Sequence, residues 1–476
     1  MEPLRHHSGA GESAGGKSLW RQSLDLLEGH PQDYTRGPLP RSVLLLAVPM
    51  VFEMLMEAVF GVVDIFFVAH LGPEAVEAVG ITESVLTLVF GVAVGLSVAA
   101  TALVARHAGA GNMDEAAKVA CQAIGLGILA SLVTALLGGF GAADILRFMG
   151  ASQAGIEIGT SYAAWLFGGS ITIYLLFLIN AIFRGVGDAL LALKALWLAN
   201  LVNLVLDPLL IFGWGPFPEL GLTGAGIATN IGRGVGIAFQ LWALLGGRGR
   251  LRLDRRSLTF ESRRVRQILT LASTAAVQSL IGTASWLGLM RILAFLGPTA
   301  VAGYTIALRV VVFAILPSWG LCNAAATLVG QNLGARKPRR AEHAVWVTGF
   351  VNLVFLSVVG LVFVLAAEPL IRLFTDDIEV LKEGTSALRW ISYSFVFYAY
   401  AMVITQAYNG AGDTYTPTYV AFVVYWLLQI PLALGLSLGL GFGAAGVFAA
   451  VPISEAVRAA LCLHLFRRGS WKSALG

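Results

Sequence analysis

The chain is a succession of long apolar runs, each closed by a short cluster of Gly, Pro or charged residues. About twenty residues cross a hydrocarbon core of about 30 Å. Twelve runs reach that length, at 42–70, 78–105, 117–141, 157–183, 190–212, 223–246, 266–295, 301–329, 341–367, 382–409, 415–439 and 443–467. They predict an all-α polytopic membrane protein with twelve transmembrane helices. The first run breaks its own pattern. Within residues 49–71, PMVFEMLMEAVFGVVDIFFVAHL, stand Glu53, Glu57 and Asp64. At about 100° per residue, spacings of four and seven place all three on one helix face. A charge near the bilayer centre costs about 2.5–3.5 kcal/mol on insertion scales, so such a stripe calls for partners or a purpose.

Composition agrees with the pattern. Of 476 residues 57% are hydrophobic and 13% charged, against roughly 25% charged in soluble domains. Cys121, Cys322 and Cys462 lie in or beside apolar segments without paired spacing, so neither a disulfide framework nor a metal knuckle is expected. Residues 1–40 are polar and lack the apolar core of a cleaved signal peptide, and they read as a disordered tail in which His6 and His7 are incidental.

Basic residues set the orientation. They crowd the loop after the sixth run (Arg248 to Arg266), the loop after the eighth (Arg336, Lys337, Arg339, Arg340) and the C-terminal end (Arg467, Arg468, Lys472), while loops on the other side are neutral or acidic. Both termini and the even-numbered loops are therefore expected in the cytoplasm. The Arg-rich loop reads as solvated charge rather than a nucleic-acid patch.

The chain also repeats itself. At an offset of 225, Leu71-Gly72-Pro73 matches Leu296-Gly297-Pro298, Gly109-Ala110 matches Gly334-Ala335, and Gly185, Gly187 and Asp188 match Gly410, Gly412 and Asp413. The expected organisation is a tail (1–40), a six-helix lobe (41–246), a basic linker (247–265), a second six-helix lobe (266–468) and a short tail (469–476). Parallel repeats of this kind place a site at their interface and suit alternating access.

Polar residues inside spans are candidates for function. The fifth run holds Asn200, Asn203 and Asp207, the last followed by Pro208, which frees a backbone carbonyl. The sixth holds Thr229. If the first, fifth and sixth helices meet, Asp64, Asn203, Asp207 and Thr229 form an all-oxygen cluster suited to a proton or to a hard cation such as sodium. The other reading is an interhelical hydrogen-bond network with no ion. The repeat gives Leu289 opposite Asp64 and Gly282 opposite Glu57, so the carboxylate chemistry belongs to the first lobe. Weaker cavity candidates are Asn200, Tyr398, Glu455 and Arg309; the last, like Arg291, reads equally well as a snorkelling side chain. Glu83 reads as an acid near the outer interface, and Asp188 and Asp413 as helix caps. The aromatic residues of the tenth run suit flat cations or interhelical packing. No Walker loop, GxSxG or HExxH is present, so neither ATP-driven transport nor an enzyme is expected.

With Leu46-Ala47, Pro49, Asp64 and Leu71-Gly72 in the first run, NLVNLVLDP and GAGIAT in the fifth and sixth, RGVGD, and ALRVVVFAILPSWGLCNAAATLVGQNLGA in the second half, residues 40–468 resemble the multidrug and toxin extrusion (MATE) family of secondary transporters, bacterial type. The resemblance implies a V-shaped, two-lobed fold in the inner (cytoplasmic) membrane, working as a monomer without a cofactor. It implies export of organic, lipophilic cations in exchange for protons or sodium. It carries over a cation site at Asp64, Asn203, Asp207 and Thr229, with the Ala225 carbonyl as a further ligand. The family's C-lobe acids on the seventh and tenth helices are missing here. Glu53 and Glu57 are additions, read as a proton path or a negative wall that selects cations. The alternatives are a flippase for lipid-linked or anionic substrates, which would need a basic cavity walled by Arg233, Arg291 and Arg309, and, more remotely, an intramembrane enzyme.

Overall fold

The computed structural model describes residues 33–474, and among them there is helix but no strand. In the first lobe, α1 spans Leu39–Ala69, α2 Pro73–Gly109 and α3 Met113–Gly139. α4 is broken into Gln153–Gly168 and Ile171–Val186, with a 41° bend. α5 spans Ala189–Ile211 and α6 Leu222–Gly246. In the second lobe, α7 spans Ser262–Leu296, α8 Pro298–Gly334 and α9 Pro338–Leu365. α10 is broken into Ile378–Tyr393 and Phe395–Ala411, bent by 53°. α11 spans Tyr415–Gly439 and α12 Gly443–Arg468. Counting each broken pair once, eleven of these are long and apolar enough to cross a membrane. The twelfth, α6, has 25 residues, about 37 Å at 1.5 Å per residue; Asn230, Arg233 and Gln240 lower its apolarity. The expected count of twelve in two lobes holds.

The repeat is visible in the breaks. The α4 break falls at Gly169–Ser170 and the α10 break at Ser394, again 225 residues on. Both broken helices end on a left-handed glycine, Gly187 (φ 93°) and Gly412 (φ 84°), a backbone state that L side chains resist. α2 and α8 start earlier than the apolar pattern indicates. Pro73 and Pro298 each occupy the first helical turn after a positive-φ glycine, where a missing N–H costs nothing. The acidic and polar residues after each proline are therefore already helical.

Each lobe is built on a core of its own, the first lobe's also taking in Ile268, Leu271 and Ala272 of α7. One is built around Ile173, Ile179 and Phe183, the other around Tyr304, Phe395 and Phe448. They touch at the end that carries the 109–113 and 334–338 connections. There Gly109 lies against the Gln331 backbone and Gly334 against the Arg106 carbonyl, approaches that leave no room for a Cβ. Gln331 donates its side-chain amide to the Gly185 carbonyl at 2.8 Å, and Thr327 Oγ1 donates to the Arg184 carbonyl at 3.2 Å. α1 meets α8 through Leu46, Met50, Leu321 and Leu328.

The expected disordered tail lies, for residues 1–32, outside the described residues. Residues 33–38 are packed across the lobe junction. Tyr34 is buried and donates to the Gly187 carbonyl at 3.3 Å, while Lys337 and Arg340 donate to the carbonyls of Thr35 and Gly37, each at 2.8 Å. The basic linker also folds back: Gln122 donates to the Thr259 carbonyl at 2.6 Å, Arg264 pairs with Glu115, and the Arg250 N–H donates to Asp188 Oδ2 at 2.5 Å. Asp413 caps α11 by accepting from the Thr416 N–H at 3.0 Å.

Candidate functional site

α5 and α6 form a close hairpin because glycines line the seam. A Cβ on Gly232 would meet the Ala199 carbonyl at 2.7 Å, and one on Gly236 the Ala195 carbonyl at 3.0 Å. This approach brings Asn203 to Thr229. Asn203 Nδ2 donates to Asp207 Oδ1 at 3.2 Å and to Thr229 Oγ1 at 3.4 Å. α1 packs on the same hairpin, with Asn200 donating to the Met56 carbonyl at 3.4 Å. Asp64, Asn203, Asp207, Thr229 and Ala225 are all buried.

Three oxygens in this group are buried without a hydrogen-bond partner: Asp64 Oδ1, Asn203 Oδ1 and Asp207 Oδ2. A buried polar atom left without a partner costs free energy, so a cluster of them marks a place where a proton or a cation would be stabilised. The charge of Asp64 acts on Asp207. Glu83 of α2 acts on Asp64, and the phenol of Tyr162 on α4 lies within the field of Asp64, Glu83 and Asp207. Arg233 of α6 is the cation that Glu57, Asp64 and Glu83 all feel, and its guanidinium lies 6.0 Å from the Phe60 ring centre. No group of three or more His, Cys, Asp or Glu side chains converges among the described residues. The donor set here is carboxylate, amide and hydroxyl oxygen, the chemistry of a proton or hard-cation site.

Glu83, read as an acid near the outer interface, lies ten residues, about 15 Å, from the start of α2 at Pro73. The three α1 carboxylates also separate. Glu53 is buried and ion-paired: Arg184 Nη1 donates to its Oε1 at 2.6 Å, and Asn180 Nδ2 donates to the same oxygen at 3.0 Å. Gln240 of α6 donates in turn to Asn180 Oδ1 at 2.6 Å. Glu57 has no such ion pair and stays half-buried. Asn180 and Arg184 are four apart on one helix face inside an apolar run, a signal the sequence carried.

Between the lobes lies a chamber with two connected parts, which share Val94, Val98, Trp319, Gln406 and Asn409. The first part, about 110 Å³, takes Glu53, Glu57, Asn180 and Arg184 from the first lobe. The second, about 410 Å³, is walled by the second lobe and includes Tyr398, Tyr425 and Arg458. Of the weaker candidates, Tyr398 faces this chamber. Glu455 is buried beside it in a pair with Arg458, at 2.7 Å. Arg309 and Arg291 are exposed and line none of these cavities, and Arg291 lies 4.9 Å from the Phe295 ring centre. Of the other α10 aromatics, Tyr400 packs against Trp346 and Tyr408 against Phe466, while Tyr393 and Phe397 are exposed.

A family model described as MatE matches the chain twice, over residues 49–209 and 274–434, two segments that stand 225 residues apart. A Thermotoga maritima protein named "Probable multidrug resistance protein NorM" is 26% identical over 432 residues, covering 91% of this chain and 93% of that protein. A Shewanella oneidensis "FAD transporter" is 27% identical over 448 residues, covering 91% and 95%. Among solved structures, one described as the outward-facing conformation of a multidrug resistance MATE family transporter superposes with a TM-score of 0.86 at 24% identity, over 93% of this chain and 98% of that one. At that identity the likeness speaks for the fold.

Proposed function

This chain belongs to the MatE family, and from that premise we propose that it is a cation-coupled antiporter, exporting organic, lipophilic cations across the cytoplasmic membrane in exchange for protons or sodium. It is a multi-pass membrane transporter of small molecules and not an enzyme. The observation that carries the finer reading is the trio of buried, unpartnered oxygens on Asp64, Asn203 and Asp207, with Thr229 beside them.

In this reading a proton or sodium ion binds among those oxygens, with the carbonyl of Ala225, one turn before Thr229 on α6, as a further ligand, and Glu57 is the negative wall on the chamber side. Ion binding changes the charge that α1 carries against α5. An ion that binds one packing of α1 better than the other biases alternating access by that difference in affinity. The lobes close at the end rich in arginine, which the positive-inside pattern places in the cytoplasm. The chamber then opens outward. The chain acts as a monomer, since each copy holds both lobes.

An anionic-substrate flippase is the second reading. The Shewanella relative's name favours it, as does Arg458 on the chamber wall. The arginine wall it would need is not assembled: Arg291 and Arg309 are exposed, and Arg233 sits among carboxylates. Substrate counterflow in proteoliposomes tests the first reading. Asp64→Asn is expected to abolish counterflow of a lipophilic cation at unchanged expression. Counterflow at the wild-type rate would overturn the assignment.

A further inference from the structure

The second lobe has a charged group of its own, away from the acids of α1. Arg458 of α12 is buried, at 6% exposure, and is the one charged residue lining the 410 Å³ part of the chamber among the described residues. Its guanidinium lies 4.9 Å from the Tyr398 ring centre and 5.6 Å from that of Tyr425. Arg458 Nε donates to Glu455 Oε2 at 2.7 Å, and Tyr425 Oη donates to Glu455 Oε1 at 3.1 Å. Glu455 does not reach the large chamber. It lines an adjoining space of about 40 Å³, which shares Trp286, Ile315, Tyr398 and Tyr425 with the large chamber.

The arrangement is directional. The carboxylate holds the guanidinium from behind and fixes its plane, and the two tyrosines flank it. The chamber therefore meets the planar cation and aromatic faces first. Gln278 Oε1 and Asn409 Oδ1 on the same wall are buried acceptors without hydrogen-bond partners, which suit a donor on the cationic end of a ligand rather than its anion. A guanidinium is suited to carboxylate or phosphate oxygens; with Nε and Nη2 both against Glu455 Oε2, Nη1 is the nitrogen left to donate to them. Neighbouring rings stack on flat π-systems.

We propose that the second lobe holds an anion subsite, in which Arg458, oriented by Glu455, with Tyr398 and Tyr425, takes the carboxylate or phosphate of a planar aromatic compound. Combined with the acidic wall at Glu57, the chamber selects amphoteric aromatic molecules that carry a cationic and an anionic group on one flat frame. This deepens the proposed function and rests on the reading of the chamber as the substrate path.

The test uses the full chain in lipid nanodiscs and three probes of one shape: anthracene-9-carboxylate, neutral anthracene-9-methanol and cationic 9-aminomethylanthracene. Binding is followed by probe fluorescence. The carboxylate is expected to bind about tenfold or more tighter than the alcohol, the factor that one charge-assisted hydrogen bond supplies. Removing Arg458 alone would strand the Glu455 charge, so the decisive variant is Glu455→Gln with Arg458→Gln, checked for an unchanged unfolding midpoint. Arg458→Lys, which keeps the charge and loses the fork, should fall between. In the double variant the carboxylate preference should vanish while the aminomethyl probe binds as before. Equal binding of carboxylate and alcohol to the wild type, or a preference that survives in the double variant, overturns the subsite. Failure of all three probes to bind overturns the chamber as substrate path as well. Transport lost in Asp64→Asn bears on coupling and leaves these affinities unchanged.

Discussion

Asn203 donates its amide to Asp207 Oδ1 at 3.2 Å from one turn away on α5, and Asp207 Oδ2 stays buried without a partner. One carboxylate thus has one oxygen held and one free, beside the free oxygens of Asn203 and Asp64. If the amide positions the site, Asn203→Leu should reduce gradient-driven export at least tenfold while moving the unfolding midpoint little, since one such hydrogen bond contributes about 1 kcal/mol. Transport assays paired with thermal unfolding of the purified variant check both halves.

Glu53 is expected to behave as a structural acid. Its pair with Arg184 is buried on both sides, and leaving one member without its partner costs about 3–5 kcal/mol. Glu53→Gln should lower the unfolding midpoint markedly, and Glu53→Gln with Arg184→Met should restore most of it. A double variant whose destabilisation equals the sum of the Glu53→Gln and Arg184→Met costs would show that the two side chains act independently.

Closure of the lobes depends on Gly109 and Gly334, where α2 and α8 leave no space for a side chain. Gly109→Leu should hold that end open. Thiol labelling of a cysteine placed at Thr327, which is fully buried at this junction, should rise several-fold in the Gly109→Leu background. Unchanged labelling would mean that the junction yields elsewhere.

Orientation is testable at two exposed positions in a background without Cys121, Cys322 and Cys462. Asp376 follows α9 and Arg339 lies at its start. A membrane-impermeant thiol reagent applied to intact cells should modify Asp376→Cys and spare Arg339→Cys. The opposite result would invert the topology and place the closed end of the lobes outside.

Much of this was legible in the sequence because the hydrocarbon core makes each polar residue within an apolar run conspicuous. Asp64, Asn203, Asp207 and Thr229 stood out for that reason, and the structure places Asn203, Asp207 and Thr229 in one hydrogen-bonded group with Asp64 acting on Asp207. The 225-residue repeat was legible because Gly and Pro at helix ends are fixed by backbone geometry rather than by packing. Partners were not legible. Glu53 and Arg184 are 131 residues apart, and Arg184 sits in RGVGD, a stretch read for its turn. Arg458 and Tyr425 were hidden because their meaning lies in a cation between two rings on different helices, a relation that spacing along one helix does not encode.

The most direct test of the central claim is substrate efflux from proteoliposomes under a proton gradient and, separately, a sodium gradient of imposed sign, with wild type, Asp64→Asn and Asp207→Asn side by side. Coupling through the α1–α5–α6 oxygens predicts that one gradient accelerates wild-type efflux and that neither variant responds to it, while both still bind the lipophilic cation. Acceleration of equal size in the wild type and in both variants would contradict it.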